Sequence, residues 1–136
     1  IKEMTEMNRV VTTDKAPAAV GAYSQGVYAG PFLFLSGQIV LDPQTGKMVG
    51  GGDPAAETVQ VMKNIQGVLE SQGMTMDNIV KAVIYAASIK DFKAINEVYK
   101  SCFPNGYFPA RCFVEVGGMA LDAKVEIDVI ATAEKP

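Results

Sequence analysis

Two rhythms of apolar residues run along this chain. Between residues 53 and 73, Val61, Met62, Ile65, Val68 and Leu69 fall on one face of a 3.6-residue period, which predicts an amphipathic helix. Asp53 is placed to cap it, Pro54 presets φ in the first turn, Glu57 puts a negative charge at the positive end of the dipole, and Gly73 closes it. A second helix is predicted to be capped by Asp91, to line Phe92, Ile95, Tyr99 and Cys102 along one side, and to end before Pro104, Asn105 and Gly106. The other rhythm belongs to strands. Residues 9–12 suit a short first strand, and residues 15–21 read as an extended loop that delivers Tyr23, Ser24 and Gln25. Residues 27–29 and 32–35 flank Gly30-Pro31 as a hairpin whose second strand runs into Ser36, Gly37 and Gln38; residues 42–46 form another turn. Residues 79–88 are nearly all apolar and rich in β-branching, as expected of a central strand covered on both faces.

Two half-polar strands complete the pattern. In residues 111–116 the even positions are small or apolar, and Arg111 and Glu115 point the other way. In residues 124–129 the odd positions are apolar, and Lys124, Glu126 and Asp128 share the opposite face. If these strands pair through residues 117–123 and bury their apolar faces together, Arg111 and Glu126 lie on the same side of the sheet. The plainest reading of such a couple is a surface ion pair contributing about 0 to 1 kcal/mol. A functional reading needs the Arg111 fork unpaired in a pocket, ready to grip a carboxylate. The expected architecture is α+β: a mixed sheet of about six strands covered on one face by two helices, in a single domain over residues 1–136. Residues 1–7, with Met4 and Met7, read as a ragged or disordered start outside the functional part.

Composition narrows the chemistry. Hydrophobic residues make up 49% and charged residues 20%, and no apolar run approaches the roughly 18 residues of a membrane span. Twelve Lys and Arg against 15 Asp and Glu leave a net charge of −3 with no basic cluster, which argues against nucleic acid as the main partner. The absence of histidine excludes Ser-His-Asp and Cys-His nucleophiles, His general bases and His metal ligands. Cys102 and Cys112 form no C-x-x-C motif, so free thiols in a reducing compartment are expected, cytoplasmic or in an organelle matrix. Gly50-Gly51-Gly52 lacks the lysine of a phosphate loop and is followed by Asp53, so it reads as a connection. Met62, Met74, Met76 and Met119 read as core filler.

Three ordered blocks carry a family resemblance. They are Ala16-Pro17 through Gly21-Ala22-Tyr23-Ser24-Gln25; Phe34-Leu35-Ser36-Gly37-Gln38 with Asp42-Pro43 and Gly46; and Pro109-Ala110-Arg111 through Val114-Glu115-Val116 to Lys124-Val125-Glu126-Ile127. Together with Asp53-Pro54 and Asn96-Glu97-Val98-Tyr99, they make the chain from Arg9 onward resemble the reactive intermediate deaminase family. That family is also called RidA or YjgF, and endoribonuclease L-PSP. Two positions depart from its pattern. Ala22 stands where many members have proline, and Phe113 stands where many have cysteine, the thiol here being at Cys112. On the apolar side of its strand Cys112 is expected to pack in the interior rather than act chemically.

The resemblance implies a chorismate-mutase-like homotrimer with three clefts at subunit boundaries. It also implies hydrolysis of 2-iminobutanoate, 2-iminopropanoate and related enamines, released by pyridoxal-phosphate-dependent dehydratases, to 2-keto acids and ammonia. No cofactor and no metal are implied. On this reading Arg111 anchors the substrate carboxylate, and Glu126 holds the attacking water and relays protons. Tyr23 and Ser36 donate hydrogen bonds, the backbone N–H near Cys112 helps hold the carboxylate, and Asn96 supports the site. An arginine beside Glu126 would weaken it as a base, so that role demands compensating desolvation. The competing readings are a non-catalytic module binding small carboxylates or client proteins, and an endoribonuclease, the latter disfavoured by the acidic balance and lack of histidine.

Overall fold

The computed structural model describes residues 9–134. The expectation for residues 1–7 therefore lies outside the described residues. Strands β1 (Val10–Val11), β2 (Gly26–Ala29) and β3 (Phe32–Leu35) precede helix α1 (Pro54–Ser71); β4 (Ile79–Ala86), helix α2 (Phe92–Ser101), β5 (Ala110–Glu115) and β6 (Val125–Thr132) follow. One sheet of six strands runs β1-β2-β3-β6-β4-β5, antiparallel except where β4 meets β5. The α+β architecture with two helices on one face is as expected. No helix among the described residues is long and apolar enough to cross a membrane.

Helix α1 forms where its signals place it. The Asp53 carboxylate accepts the Ala56 N–H at 2.8 Å, Pro54 opens the helix, and Gly73 takes φ 72° just beyond its end. Its apolar stripe meets Leu33 and Leu35 of β3, Ala82, Ile84 and Ala86 of β4, and Ile127 and Val129 of β6 in one buried cluster. Glu57, which the sequence suggests only as a dipole partner, is buried and accepts the backbone N–H of Lys124 at 2.9 Å. It ties the first turn of α1 to the entry of β6.

Three expectations need correction. β4 is interior to the sheet, but only one of its faces is covered: Ala82, Ile84 and Ala86 are buried, while Lys81, Val83 and Tyr85 are half-buried on the opposite, helix-free face. Asp91 stands at the start of α2 without a capping bond; Ser88, one turn earlier, accepts the Lys90 N–H at 3.2 Å and starts a 3₁₀ turn leading into α2. The largest difference concerns the last two strands, which do not pair. β4 lies between them, with Ala82 opposite Arg111 and Val129, and Tyr85 opposite Val114 and Glu126. Cross-strand partners share a face. Arg111, in register with buried Ala82, therefore points to the helix side, and Glu126, in register with Tyr85, points to the open side. The same registry puts Cys112 on the open face, where its thiol is exposed rather than packed in the interior.

Candidate functional site

Strand β5 is the sheet edge, so Arg111 leaves the sheet where α2 passes over it. Its Nη1 donates to the Asn96 side-chain oxygen at 2.6 Å. Its guanidinium carbon lies 5.1 Å from the Tyr99 ring centroid, 5.7 Å from that of Phe113 and 5.8 Å from that of Phe92. Three rings and one amide thus fix the cation, the rings by their negative faces and the amide by a charge-assisted bond. Burial pushes the Tyr99 hydroxyl up to about 12 against the opposing pull of Arg111, so this phenol stays neutral. Arg111, Asn96, Tyr99, Lys100, Phe108 and Pro109 line a cavity of about 310 Å³. No carboxylate bonds to Arg111 among the described residues, and the surface ion pair with Glu126 is excluded by the opposite faces of their strands.

Tyr23, Ser36 and Glu126 meet elsewhere. They line a cleft of about 510 Å³ with Gly37, Gln38 and Leu121. Its floor is the stretch where Gln38, beyond the end of β3, and Ile127 of β6 exchange two backbone hydrogen bonds, N···O 2.9 and 3.1 Å. Its wall is the loop leading to β2, held by the buried amide of Gln25. That amide accepts the Thr13 N–H at 2.7 Å and donates to the carbonyls of Thr13, Ala16 and Pro17 at 2.9, 3.3 and 2.8 Å. Gly37 is required by contact: a Cβ there would run into the Glu126 carboxylate. Leu121, with φ 58° and 63% exposed, holds a left-handed conformation rare for so bulky a residue, at the rim of this cleft.

Within the cleft the predicted residues play different parts. The Tyr23 hydroxyl accepts a long bond, 3.4 Å, from the Val20 N–H and lends its proton to no described residue. Ser36 gives its proton to the Ser24 carbonyl at 2.5 Å, so it locks the loop to β3 and keeps only its oxygen lone pairs for a ligand. Desolvation, and secondarily the Asp128 carboxylate, raises the pKa of Glu126 from its ordinary value. The tension between a basic Glu126 and a neighbouring arginine therefore disappears within one chain, because the arginine is on the other face.

The backbone N–H groups around Cys112 alternate in direction. Val116 N–H donates to Ala86 O, and a parallel ladder alternates. Cys112 N–H thus faces β4, and the amides turned to the open edge beside Arg111 are those of Arg111 itself and Phe113.

The aromatic cradle, the Gln25 clamp and Leu121 escaped sequence reasoning. Only the cradle left a trace: Phe92, Asn96 and Tyr99 recur at helical spacing on α2. The fold and the two cavities define a small α+β protein with a guanidinium-bearing pocket on one side of its sheet and a carboxylate-bearing cleft on the other.

The family model described as Endoribonuclease L-PSP matches residues 13–133, and the chain belongs to that family, known also as RidA or YjgF. A rat 2-iminobutanoate/2-iminopropanoate deaminase is 41% identical over 125 residues, covering 92% of this chain and 90% of the rat protein. The E. coli YjgF gene product superposes with a TM-score of 0.86 at 37% identity, covering 92% of this chain and 98% of that one. E. coli TdcF with bound serine gives 0.85 at 34% identity, with the same two coverages.

Proposed function

We propose that this protein is a 2-iminobutanoate/2-iminopropanoate deaminase, a hydrolase working as a homotrimer whose clefts lie at subunit boundaries. One observation carries the reading: Arg111 and the group of Tyr23, Ser36 and Glu126 occupy different cavities on opposite faces of a single sheet. A substrate of a few heavy atoms can use both only if two copies of the chain each supply one half. The deaminase name of the rat relative and the serine held by TdcF fit an α-amino- or α-imino-carboxylate in such a cleft. The cytoplasm or an organelle matrix suits a chain with free thiols.

On this reading Arg111 grips the substrate carboxylate, each charge-assisted bond contributing on the order of 1.5 to 3 kcal/mol, with the outward amide of Phe113 beside it. Tyr23 donates a hydrogen bond from its hydroxyl to the substrate and keeps its proton. The carbon of the imine, protonated on nitrogen, then accepts water: the C–O bond forms and one water proton passes to the Glu126 carboxylate. Glu126 returns that proton to nitrogen, the C–N bond breaks, ammonia leaves, and the hydroxyl proton passes to solvent. Burial raises the Glu126 carboxyl within one chain, the Arg111 of another copy in the shared cleft opposes that rise, and Glu126 serves as both acceptor and donor where burial prevails.

The test is complementation. Arg111→Ala and Glu126→Gln should each abolish acceleration of 2-iminobutyrate hydrolysis, supplied by a threonine dehydratase, while remaining folded. Chains of the two variants assembled together should regain a fraction of wild-type turnover, because a cleft with one good half from each variant is intact. No recovery on mixing would reject the shared cleft. A wild type that binds serine without accelerating hydrolysis would leave a non-catalytic carboxylate-binding module.

A further inference from the structure

The open face of the sheet carries polar groups that the hydrolytic reading leaves unused. Along β6, Glu126 and Asp128 project to the same side, two residues apart. On β4, Tyr85 stands directly opposite Glu126, and its hydroxyl reaches diagonally to donate to Asp128 Oδ2 at 2.8 Å. Asp128 in turn stands opposite Val83, which faces Cys112 across the parallel pair. A phenol thus lies between two carboxylates on one surface, bonded to one and registered against the other.

That arrangement is not needed to hold the sheet together. Interior positions of β4 and β6 are fixed by Ala82, Ile84, Ile127 and Val129 on the buried face. Two carboxylates at neighbouring same-face positions repel each other, and a sheet selected for stability alone would place a cation or an apolar residue at one of them. The other groups near Glu126 are Lys124 just before β6, Lys81 beyond Val83 on β4, the Cys112 thiol on β5, the Tyr23 hydroxyl across the cleft and, in the proposed shared cleft, the Arg111 guanidinium of another copy. None of these forms a described hydrogen bond to Glu126 or Asp128. The donor that Asp128 does receive comes from Tyr85, which fixes the carboxylate in place on this face.

We infer that Asp128, anchored by the Tyr85 hydroxyl, is a positioning residue for the deaminase reaction: it keeps a fixed negative charge beside Glu126 so that Glu126 can hold a proton between its two transfers. The inference rests on the proposed function of Glu126. Its logic is electrostatic: a carboxylate two positions away on the same face makes ionisation of Glu126 less favourable. The direction of the effect on Glu126, raised first by burial and then by Asp128, agrees with it. So does Tyr85, whose hydroxyl is raised chiefly by its bond to Asp128 and further by the charge of Glu126. Tyr85 and Asp128 touch no substrate in this scheme; they act through Glu126.

The experiment uses the full chain in its native assembly. The ¹³C signal of the Glu126 carboxyl is followed against pH in wild type, Asp128→Asn and Tyr85→Phe, alongside the pH profile of 2-iminobutyrate hydrolysis. Asp128→Asn should move the Glu126 midpoint to lower pH, shift the profile the same way, and lower turnover near neutral pH by about threefold to tenfold. Tyr85→Phe, which removes the anchor of Asp128, should move the Glu126 midpoint by less than Asp128→Asn does. A merely structural role would lower turnover and leave the Glu126 midpoint in place, and that result overturns the inference. A wild type without hydrolytic activity would remove the proposed function instead, and the midpoint in Asp128→Asn would still decide whether the charge is coupled.

Discussion

Single residues here are defined by what has been arranged around them. The Arg111 guanidinium would be an ordinary exposed cation but for Asn96 at 2.6 Å and the three rings that surround it. Glu126 is the complementary case, a carboxylate whose surroundings disfavour its charge. Its pKa is raised on folding, so the folded protein binds this proton more tightly than the unfolded chain does. The stabilisation from that proton is present below the unfolded pKa of about 4.3 and is lost as pH rises through the higher folded value. Glu126→Gln removes the alkaline penalty. In the single chain the variant should therefore melt at or above the wild-type temperature near neutral pH, and that advantage should shrink as pH falls toward the unfolded value. Thermal denaturation across that range checks the sign. An enzyme residue whose loss stabilises the fold is the usual signature of a group kept for chemistry.

At the level of elements, the interplay of α1 with the start of β6 rests on the buried Glu57. Truncation by Glu57→Ala would leave the Lys124 N–H without its acceptor and open a void at the first turn of the helix. The expected loss is about 2 kcal/mol in a urea or guanidinium melt, and Glu57→Gln, which keeps an acceptor oxygen, should lose less. Elements of this kind were largely legible in the sequence. The caps of α1, the Gly30-Pro31 hairpin and the apolar run of β4 are local signals, and local signals survive in any fold that contains them. Strand neighbours are not local. The alternation in β5 and β6 gives each strand two faces, but it does not say which strand lies beside it, nor which face meets the helices at a sheet edge. Arg111 and Glu126 were placed together because β4 was not placed between them. Cys112 was assigned to the interior because at an edge strand the helix-side positions went to Arg111 and Phe113, leaving the smaller apolar residues to the open face. Ser36 and Asn96 could be named from the resemblance, but their partners, the Ser24 carbonyl and the Arg111 fork, depend on chain segments 12 and 15 residues away.

The whole molecule presents a sheet with only one face clothed. Phe32 and Phe34 on β3, Val80 on β4 and Val114 on β5 remain between 38% and 45% exposed, while every apolar position on the helix side of β3, β4 and β6 is buried. Exposed apolar groups concentrated on one surface mark a contact waiting for a partner. On the proposed trimer that partner is another copy of the chain. Phe34→Asp sets a charge on this face without touching either cavity, so it should leave a folded single chain by light scattering where the wild type gives a three-chain particle. Turnover should fall at least about tenfold with it, since burying an unpaired charge costs far more than such an assembly can spare. A trimer that survives Phe34→Asp would place the contact elsewhere.

The clamp formed by Gln25 has a further consequence for ligand recognition. An amide with four bonds to three residues of the preceding loop removes that loop's freedom while the chain is folding. On the proposed function Tyr23, two residues before it, therefore meets the substrate from a segment that is already ordered. The entropy usually surrendered when a binding loop closes has been given up before the encounter, at an earlier stage and in a different equilibrium. Selectivity in this cleft is then a matter of shape and charge alone, with little room for the loop to remould itself around a poorly matched guest.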